Sequence, residues 1–279
     1  IGAWPAATSA QGQKRVALVI GNNAYTSEAR LKNAINDAKL VAGALSKVGF
    51  KTVEPRADLG IAEFRQALRR FQAEADGAEV ALIYYAGHGM EANGANWLIP
   101  TDAALAQERD LDYEAVRIDL ALQALSGARM RLLVLDACRN NPFGRSWRPG
   151  ARSVARGLKP VDTDDVLVLF AAAPGQTASD GTGTNSPFAS AFAKLVPEPG
   201  LAVQFLVGRV RDDVLGATGG TQRPYVSSCI TGVPFYLVPP AAGPAAASTP
   251  PVQVPSQQSA AAEAWSHVRE STSIADLEA

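Results

Sequence analysis

Two histidines occur in the 279 residues. One of them, His88, stands between glycines at the end of an apolar run, Ala81-Leu82-Ile83-Tyr84-Tyr85-Ala86-Gly87-His88-Gly89. Fifty residues further on, a second apolar run ends in the same manner, Leu132-Leu133-Val134-Leu135-Asp136-Ala137-Cys138-Arg139-Asn140. An imidazole and a thiol are the base and nucleophile of a cysteine hydrolase, in which the thiolate is the reacting species. If the two runs are neighbouring strands of a parallel sheet, both release their side chains on the same edge. A lone Cys is more often a small buried hydrophobe. Around Cys138, however, Asp136, Arg139, Asn140 and Asn141 argue for a strand end facing a cleft. Cys229, in Val226-Ser227-Ser228-Cys229-Ile230, has no such company and reads as structural. The glycines beside His88 leave room for backbone to approach a substrate, and the Gly89 N–H is placed to donate to a developing oxyanion.

These residues need a scaffold, and the hydrophobic pattern predicts one. Val16–Gly21 reads as a first buried strand, followed by a helix over Asn33–Val48 with Gly49 closing it. Phe50–Val53 reads as a second strand. Ile61–Ala75 carries Phe64, Leu68 and Phe71 on one helical stripe, and Val80–Ala86 is a third strand. Asn96–Ile99 reads as a short hairpin arm, Leu120–Leu125 as helical and Leu132–Leu135 as the fourth strand. After a stretch without periodicity come a strand in Asp165–Ala173, helices at Ser186–Leu195 and Ala202–Leu215, and late strands at Tyr225–Ser228 and Phe235–Val238. Strands alternating with helices predict an α/β fold with a mostly parallel central sheet and helices on both faces.

Composition narrows the function classes. With 47% hydrophobic residues the chain can bury a full core, and a formal net charge of −1 gives no general attraction to nucleic acid or an anionic membrane. Two cysteines and two histidines make neither a disulfide framework nor a Cys/His zinc site. No apolar run reaches the roughly 18 residues that span a bilayer. Residues 1–12 form a leader whose small-residue stretch reads either as the tail of a secretory signal cut near Ala10, implying export to the periplasm, or as a flexible Ala-rich segment of a cytoplasmic protein.

Tyr85-Ala86-Gly87-His88-Gly89 and Asp136-Ala137-Cys138-Arg139-Asn140, at their separation, resemble the caspase-like cysteine peptidase superfamily (peptidase C14-like). The motifs are most similar to its bacterial metacaspase and paracaspase branch, and Cys138-Arg139-Asn140-Asn141 is nearer paracaspases. The resemblance implies a caspase-like fold over residues 13–239, with a large-subunit region to about 138, a linker at 139–163 and a small-subunit region at 164–239. A Pro/Ala-rich linker at 240–260 and the start of a helical module at 261–279 follow. It implies a cysteine endopeptidase with His88 as general acid/base, Cys138 as nucleophile, the Gly89 and Cys138 amides as oxyanion donors, and no third catalytic side chain. Aspartates at the positions of Asp136, Asp37 (in Asn36-Asp37-Ala38) and Asp180 line the pocket, so the expected substrates are proteins or peptides with Arg or Lys before the scissile bond. The competing reading of Asp37 is a carboxylate complementing a helix N-terminus.

The run from Arg139 to Lys159 is basic, but its sparse aromatics speak against nucleic acid. The resemblance places the linker between the large and small subunits here, and such an Arg-rich linker is a candidate for self-cleavage by an enzyme that prefers Arg. No cofactor is expected. No dedicated acidic cluster for calcium is identified, so calcium activation stays undecided, as does the oligomeric state. A catalytically silent scaffold of the same fold and a cysteine amidase acting on a small molecule are the rival readings.

Overall fold

In the computed structural model, residues 13–92, 94–137, 166–173, 176–230 and 232–241 are described. The leader, Cys138 with the basic stretch after it, and the C-terminal linker and helical module lie outside those residues.

Apolar β-branched and aliphatic runs form the centre. Strands β1 (Arg15–Gly21), β2 (Lys51–Ala57), β3 (Val80–Gly87), β7 (Met130–Ala137), β8 (Val166–Phe170) and β9 (Tyr225–Ser228) make a six-stranded sheet in the order β2-β1-β3-β7-β8-β9. All neighbours are parallel except the antiparallel edge pair β8–β9. A parallel sheet is covered on both faces, so its strands are apolar throughout rather than alternating. In β3, Leu82 and Tyr84 face one core layer while Ala81, Ile83 and Tyr85 face the other. The edge strand β2 carries Pro55, a residue that an edge tolerates and a central strand does not.

The first face is covered by α1 (Ala34–Lys47) with α5 (Pro187–Leu195) and α6 (Val203–Ala217), the second by α2 (Ile61–Ala75) and α4 (Ile118–Ala124). Helix α2 buries Phe64, Leu68, Phe71 and Ala75, the stripe its sequence predicts. Each of the Phe and Leu side chains contributes about 1.5–3 kcal/mol on burial. Its exposed first turn is completed by Asp102, which accepts from the Ile61 N–H at 2.9 Å. Helix α1 ends at Gly49, whose φ of 84° is a left-handed conformation that glycine adopts without strain.

A second, three-stranded sheet, β4 (Gly89–Ala92), β5 (Ala95–Leu98) and β6 (Val116–Arg117), extends from the end of β3 beside the short helix α3 (Leu111–Glu114). The expected hairpin arm is β5, and β4, directly after His88, is its partner.

Two expectations are corrected. Phe235–Val238 is not a strand: Tyr236 makes only an isolated bridge to Ala202. Phe235 and Leu237 instead plug into the core between prolines, while the Leu237 carbonyl accepts from the buried Arg15 guanidinium. Cys229 is exposed, not packed; its backbone N–H, donated to Val166 O at 3.0 Å, is the structural part of that residue.

Candidate active site

Strands β3 and β7 run in register from Val80–Met130 to Gly87–Ala137. His88 follows directly after the last of these pairs. The half-buried ring of His88 places Nε2 2.7 Å from the carbonyl oxygen of Ala29. A carbonyl only accepts, so the neutral imidazole carries its proton on Nε2 and keeps Nδ1 as the basic nitrogen. The Tyr25 ring lies against the imidazole, with centroids 4.3 Å apart.

Two tyrosines hold the His88 backbone. The His88 N–H donates to the Tyr25 hydroxyl at 2.7 Å, the His88 carbonyl accepts from Ile99 N at 3.0 Å, and the single proton of the Tyr85 hydroxyl is shared between His88 O at 2.8 Å and Ile99 O at 2.9 Å. The hydroxyls themselves are 3.2 Å apart. Because Tyr85 gives its proton to a carbonyl, Tyr25 gives its own to Tyr85. Burial raises both phenols far above their usual range, so both stay protonated.

This network explains Gly87 differently from the expectation above. A Cβ at Gly87 would lie 2.5 Å from the Tyr85 hydroxyl and 2.6 Å from that of Tyr25. The space beside His88 on that side is filled by its own supports, not kept for substrate. Gly89 differs. Since Ile99 N bonds His88 O, residues 88 and 99 form the hydrogen-bonded pair of the hairpin, and the next pair, Gly89–Leu98, does not. The Gly89 N–H therefore points away from β5.

The loop carrying Tyr25 and Ala29 is fastened at both ends. Asp58 accepts from Asn23 N and Ala24 N at 2.7 Å each. At the far end Lys32 N donates to Asp180 Oδ2 at 3.0 Å, and Asn33 Nδ2 donates to Asp180 O and Gly183 O.

The other expected pair of residues is brought together. Asp136, near the end of β7, and Asp37, in the first turn of α1, are 7% and 2% exposed. Asp37 Oδ1 accepts from Asn185 Nδ2 and Ser186 N, both at 2.9 Å. Asp136 Oδ2 accepts from the Ser186 hydroxyl at 2.6 Å and the Tyr84 hydroxyl at 3.0 Å. Burial, then the charge of Asp37, pushes Asp136 up to about 7, against the pull of the Ser186 and Tyr84 bonds. Burial pushes Asp37 up to about 6, opposed by Asn185 and Ser186 and reinforced by the charge of the half-buried Asp180. Among the described residues no Lys, Arg or His pairs with either carboxylate. Two near, water-poor carboxylates resist joint ionisation unless a cation joins them.

His88, Gly89, Asp136 and Asp180 thus lie at the ends of the central strands or just beyond them, Asp37 lies in the first turn of α1, and Cys138 lies outside the described residues. Tyr25, Ala29, Tyr84, Tyr85, Asn185 and Ser186 support them, although the sequence reading singled out none of these. The paired tyrosines at the end of an otherwise aliphatic strand were the available signal, since two phenols buried on opposite sheet faces each need a polar partner. A cavity of about 140 Å³, lined by Leu18, Arg56, Glu63, Arg70 and Phe71 among others, holds none of the candidate residues. Among the described residues no group of three or more His, Cys, Asp or Glu is arranged to hold a metal, and no helix is long and apolar enough to cross a membrane.

The peptidase C14 family model, described as a caspase domain, matches residues 14–236. The human mucosa-associated lymphoid tissue lymphoma translocation protein 1 is 33% identical over 125 residues, covering 45% of this chain and 15% of that protein. Its mouse homologue is 32% identical over the same length, again 15% of the protein, so the match spans a small part of either relative. Caspase-1 from Spodoptera frugiperda has a TM-score of 0.60 at 17% identity, covering 82% of this chain and 94% of that one, which is a likeness of fold.

Proposed function

Because the chain belongs to the caspase domain family of peptidases, we propose that it is a cysteine endopeptidase that cleaves protein or peptide substrates after Arg or Lys, with Cys138 and His88 as its catalytic pair. The dyad is supported by register: Gly87 pairs with Ala137 on adjacent parallel strands, which run about 4.8 Å apart, and His88 and Cys138 are the next residues in the sequence after that pair.

With Nε2–H given to Ala29, Nδ1 of His88 takes the thiol proton, and the Cys138 sulfur adds to the scissile carbonyl carbon. The negative charge that develops on the carbonyl oxygen meets the Gly89 and Cys138 N–H groups. Collapse breaks the C–N bond, the leaving amine receives the proton from Nδ1, and a thioester remains. Water, deprotonated by His88, then attacks the thioester and releases the carboxylate product and the thiolate.

The observation that carries the specificity is the meeting of Asp37 and Asp136, two buried carboxylates with no cationic partner among the described residues. A guanidinium or ammonium from the substrate supplies that partner, and Asp180 adds negative charge nearby. A library of peptides varied at the residue before the scissile bond tests the proposal. Wild-type protein should cleave after Arg and Lys and not after Asp, while folded Cys138→Ala and His88→Ala should lose on the order of 10³-fold or more in rate. Turnover by folded Cys138→Ala would overturn the mechanism, and efficient cleavage after Asp would overturn the pocket.

A further inference from the structure

One wholly buried amide stands beside the network that holds His88. Asn22, the residue after β1, is 0% exposed. Its backbone N–H donates to Ala86 O at 2.9 Å, extending the β1–β3 ladder by one bond toward His88. Its side chain joins two further segments: Oδ1 accepts from Leu59 N at 3.0 Å, and Nδ2 donates to Leu59 O at 3.4 Å and Ile99 O at 3.5 Å. The amide has one orientation only. Turned over, it would set its oxygen against two carbonyl oxygens and its NH2 group against an N–H.

The same amide faces the hydroxyls of Tyr25 and Tyr85, where its donors partly offset the burial that raises both phenols. Nδ2 gives protons and accepts none, so a phenol oxygen beside it acts as acceptor and turns its own proton elsewhere. Tyr25 is thereby directed to Tyr85, and Tyr85 to the His88 and Ile99 carbonyls. Asn22 also begins the segment that carries Tyr25 and, further on, the Ala29 carbonyl that takes Nε2–H of His88. We propose, on the reading of His88 as general base, that Asn22 is a positioning residue for that base. Acting through Tyr25 and Tyr85, it sets the direction of their hydroxyl protons. By tying its own segment to Leu59 and Ile99, it keeps the Ala29 carbonyl on Nε2 and leaves Nδ1 for the thiol.

Other side chains of this size do only part of this. Leucine has the shape but neither donor nor acceptor, and it would leave the buried Leu59 N–H unpaired. Aspartate keeps the acceptor for Leu59 N. Its second oxygen, once ionised, meets the Leu59 and Ile99 carbonyls where a donor is needed, so burial and those oxygens disfavour its charge. Protonated, that oxygen becomes a donor and stands in for Nδ2. Tyr25 and Tyr85 are the titratable groups that face it, with His88 held by both and the exposed Asp58 acting on Tyr25.

The test uses the full chain with Asn22→Asp and Asn22→Ala. Since the sequence has two histidines, two-bond proton–nitrogen NMR spectra in a Cys138→Ala, His267→Gln background report the His88 tautomer without any turnover. At about pH 8, where a free imidazole is neutral, the parent should show the proton on Nε2 alone. Both variants should show it shared between Nε2 and Nδ1. In chains that keep Cys138, kcat for an Arg peptide should fall by about tenfold or more at that pH, with KM within about threefold. The ratio of Asn22→Asp kcat to wild-type kcat should rise toward unity as pH falls and the aspartic acid regains its proton, whereas that of Asn22→Ala should stay level. Melting temperatures identify the folded variants. Asn22→Asp keeps the volume and the Leu59 bond, so it decides the matter if Asn22→Ala does not fold. A folded variant with a single Nε2–H form, or with wild-type kcat at that pH, would overturn the proposal, as would an Asn22→Asp loss that is the same at every pH. A wild type that turns over no Arg peptide would instead overturn the base itself, and the role of Asn22 with it.

Discussion

Tyr25 and His88 are joined twice: the His88 N–H donates to the Tyr25 hydroxyl at 2.7 Å, and the Tyr25 ring packs against the imidazole at 4.3 Å between centroids. One residue therefore sets both where the His88 backbone sits and which way its ring lies. The loop that carries Tyr25 also brings the Ala29 carbonyl that takes Nε2–H. A neutral imidazole with no partner holds its proton on either nitrogen; this one is committed to Nε2–H, which leaves Nδ1 for the base role proposed for His88.

Tyr25→Phe should separate those roles. It keeps the ring contact but leaves the half-buried His88 N–H without its acceptor and Tyr85 without its donor, a destabilisation of about 1–3 kcal/mol. The His88 ring loses its setting relative to the nucleophile, so kcat should fall by about tenfold while KM for an Arg peptide changes little. Denaturant melts and steady-state kinetics check both. An unchanged kcat would show that Tyr25 is only a packing residue.

Gly87→Ala is expected to be worse than its size suggests. The added methyl would fall 2.5 Å and 2.6 Å from the two tyrosine hydroxyls, closer than atoms can approach. Tyr25 or Tyr85 must move, and with it a hydrogen bond to His88. Overpacking of this kind costs about 1–3 kcal/mol, and activity should fall along with stability. A variant as stable and active as wild type would mean the tyrosines can retreat without disturbing the base.

How much of this was legible beforehand follows from the range of each interaction. Helix α2 is legible because Phe64, Leu68 and Phe71 repeat at the helical period, and β3 and β7 are legible as long apolar runs. The resemblance carried His88, Cys138 and the aspartates, and the match of the family model over residues 14–236 agrees with the family it named. The Ala29 carbonyl had no signature, since a backbone group is the same in every residue. Nor did Ser186: its helix-capping role shows in Ser186-Pro187, but its bonds to Asp37 and Asp136 depend on elements that are distant in the chain. Phe235–Val238 failed as a strand because a short apolar segment between prolines fits an irregular core plug equally well.

Stability should depend on pH through the carboxylate pair, with a definite sign. In the folded chain Asp136 is pushed up to about 7 and Asp37 to about 6, whereas an unfolded Asp loses its proton near about pH 3.9. Between those limits the folded state binds protons that the unfolded state has released, so stability falls as pH rises through that window. The groups facing the pair are Tyr84, Asn185, Ser186 and Asp180, of which Asp180 opposes ionisation further. Asp136→Asn removes the larger contribution, and its melting temperature should decline less than that of wild type from pH 4.5 to 8. Parallel profiles for the two proteins would contradict the pairing.

Substrate binding should show the opposite dependence. A cation between Asp37 and Asp136 favours their ionised forms, so binding an Arg peptide expels protons and tightens as pH rises through about 6 to 7. KM for Arg should therefore fall over that interval in wild type, while KM for the same peptide with citrulline, the neutral isostere of Arg, should stay level. In Asp136→Asn the pocket keeps one carboxylate and an amide, so it repels the citrulline side chain no more than before but attracts a guanidinium far less. Removing one partner of a buried ion pair typically costs about 3–5 kcal/mol, which is a KM for Arg raised by at least about a hundredfold. Asp37→Asn, at the more weakly shifted partner, should act in the same direction. Steady-state kinetics at four or five pH values on both peptides resolves the outcome. A KM for Arg that ignores pH and both substitutions would remove Asp37 and Asp136 from the substrate site, because no arrangement of two buried carboxylates around a bound cation leaves its affinity indifferent to their charge.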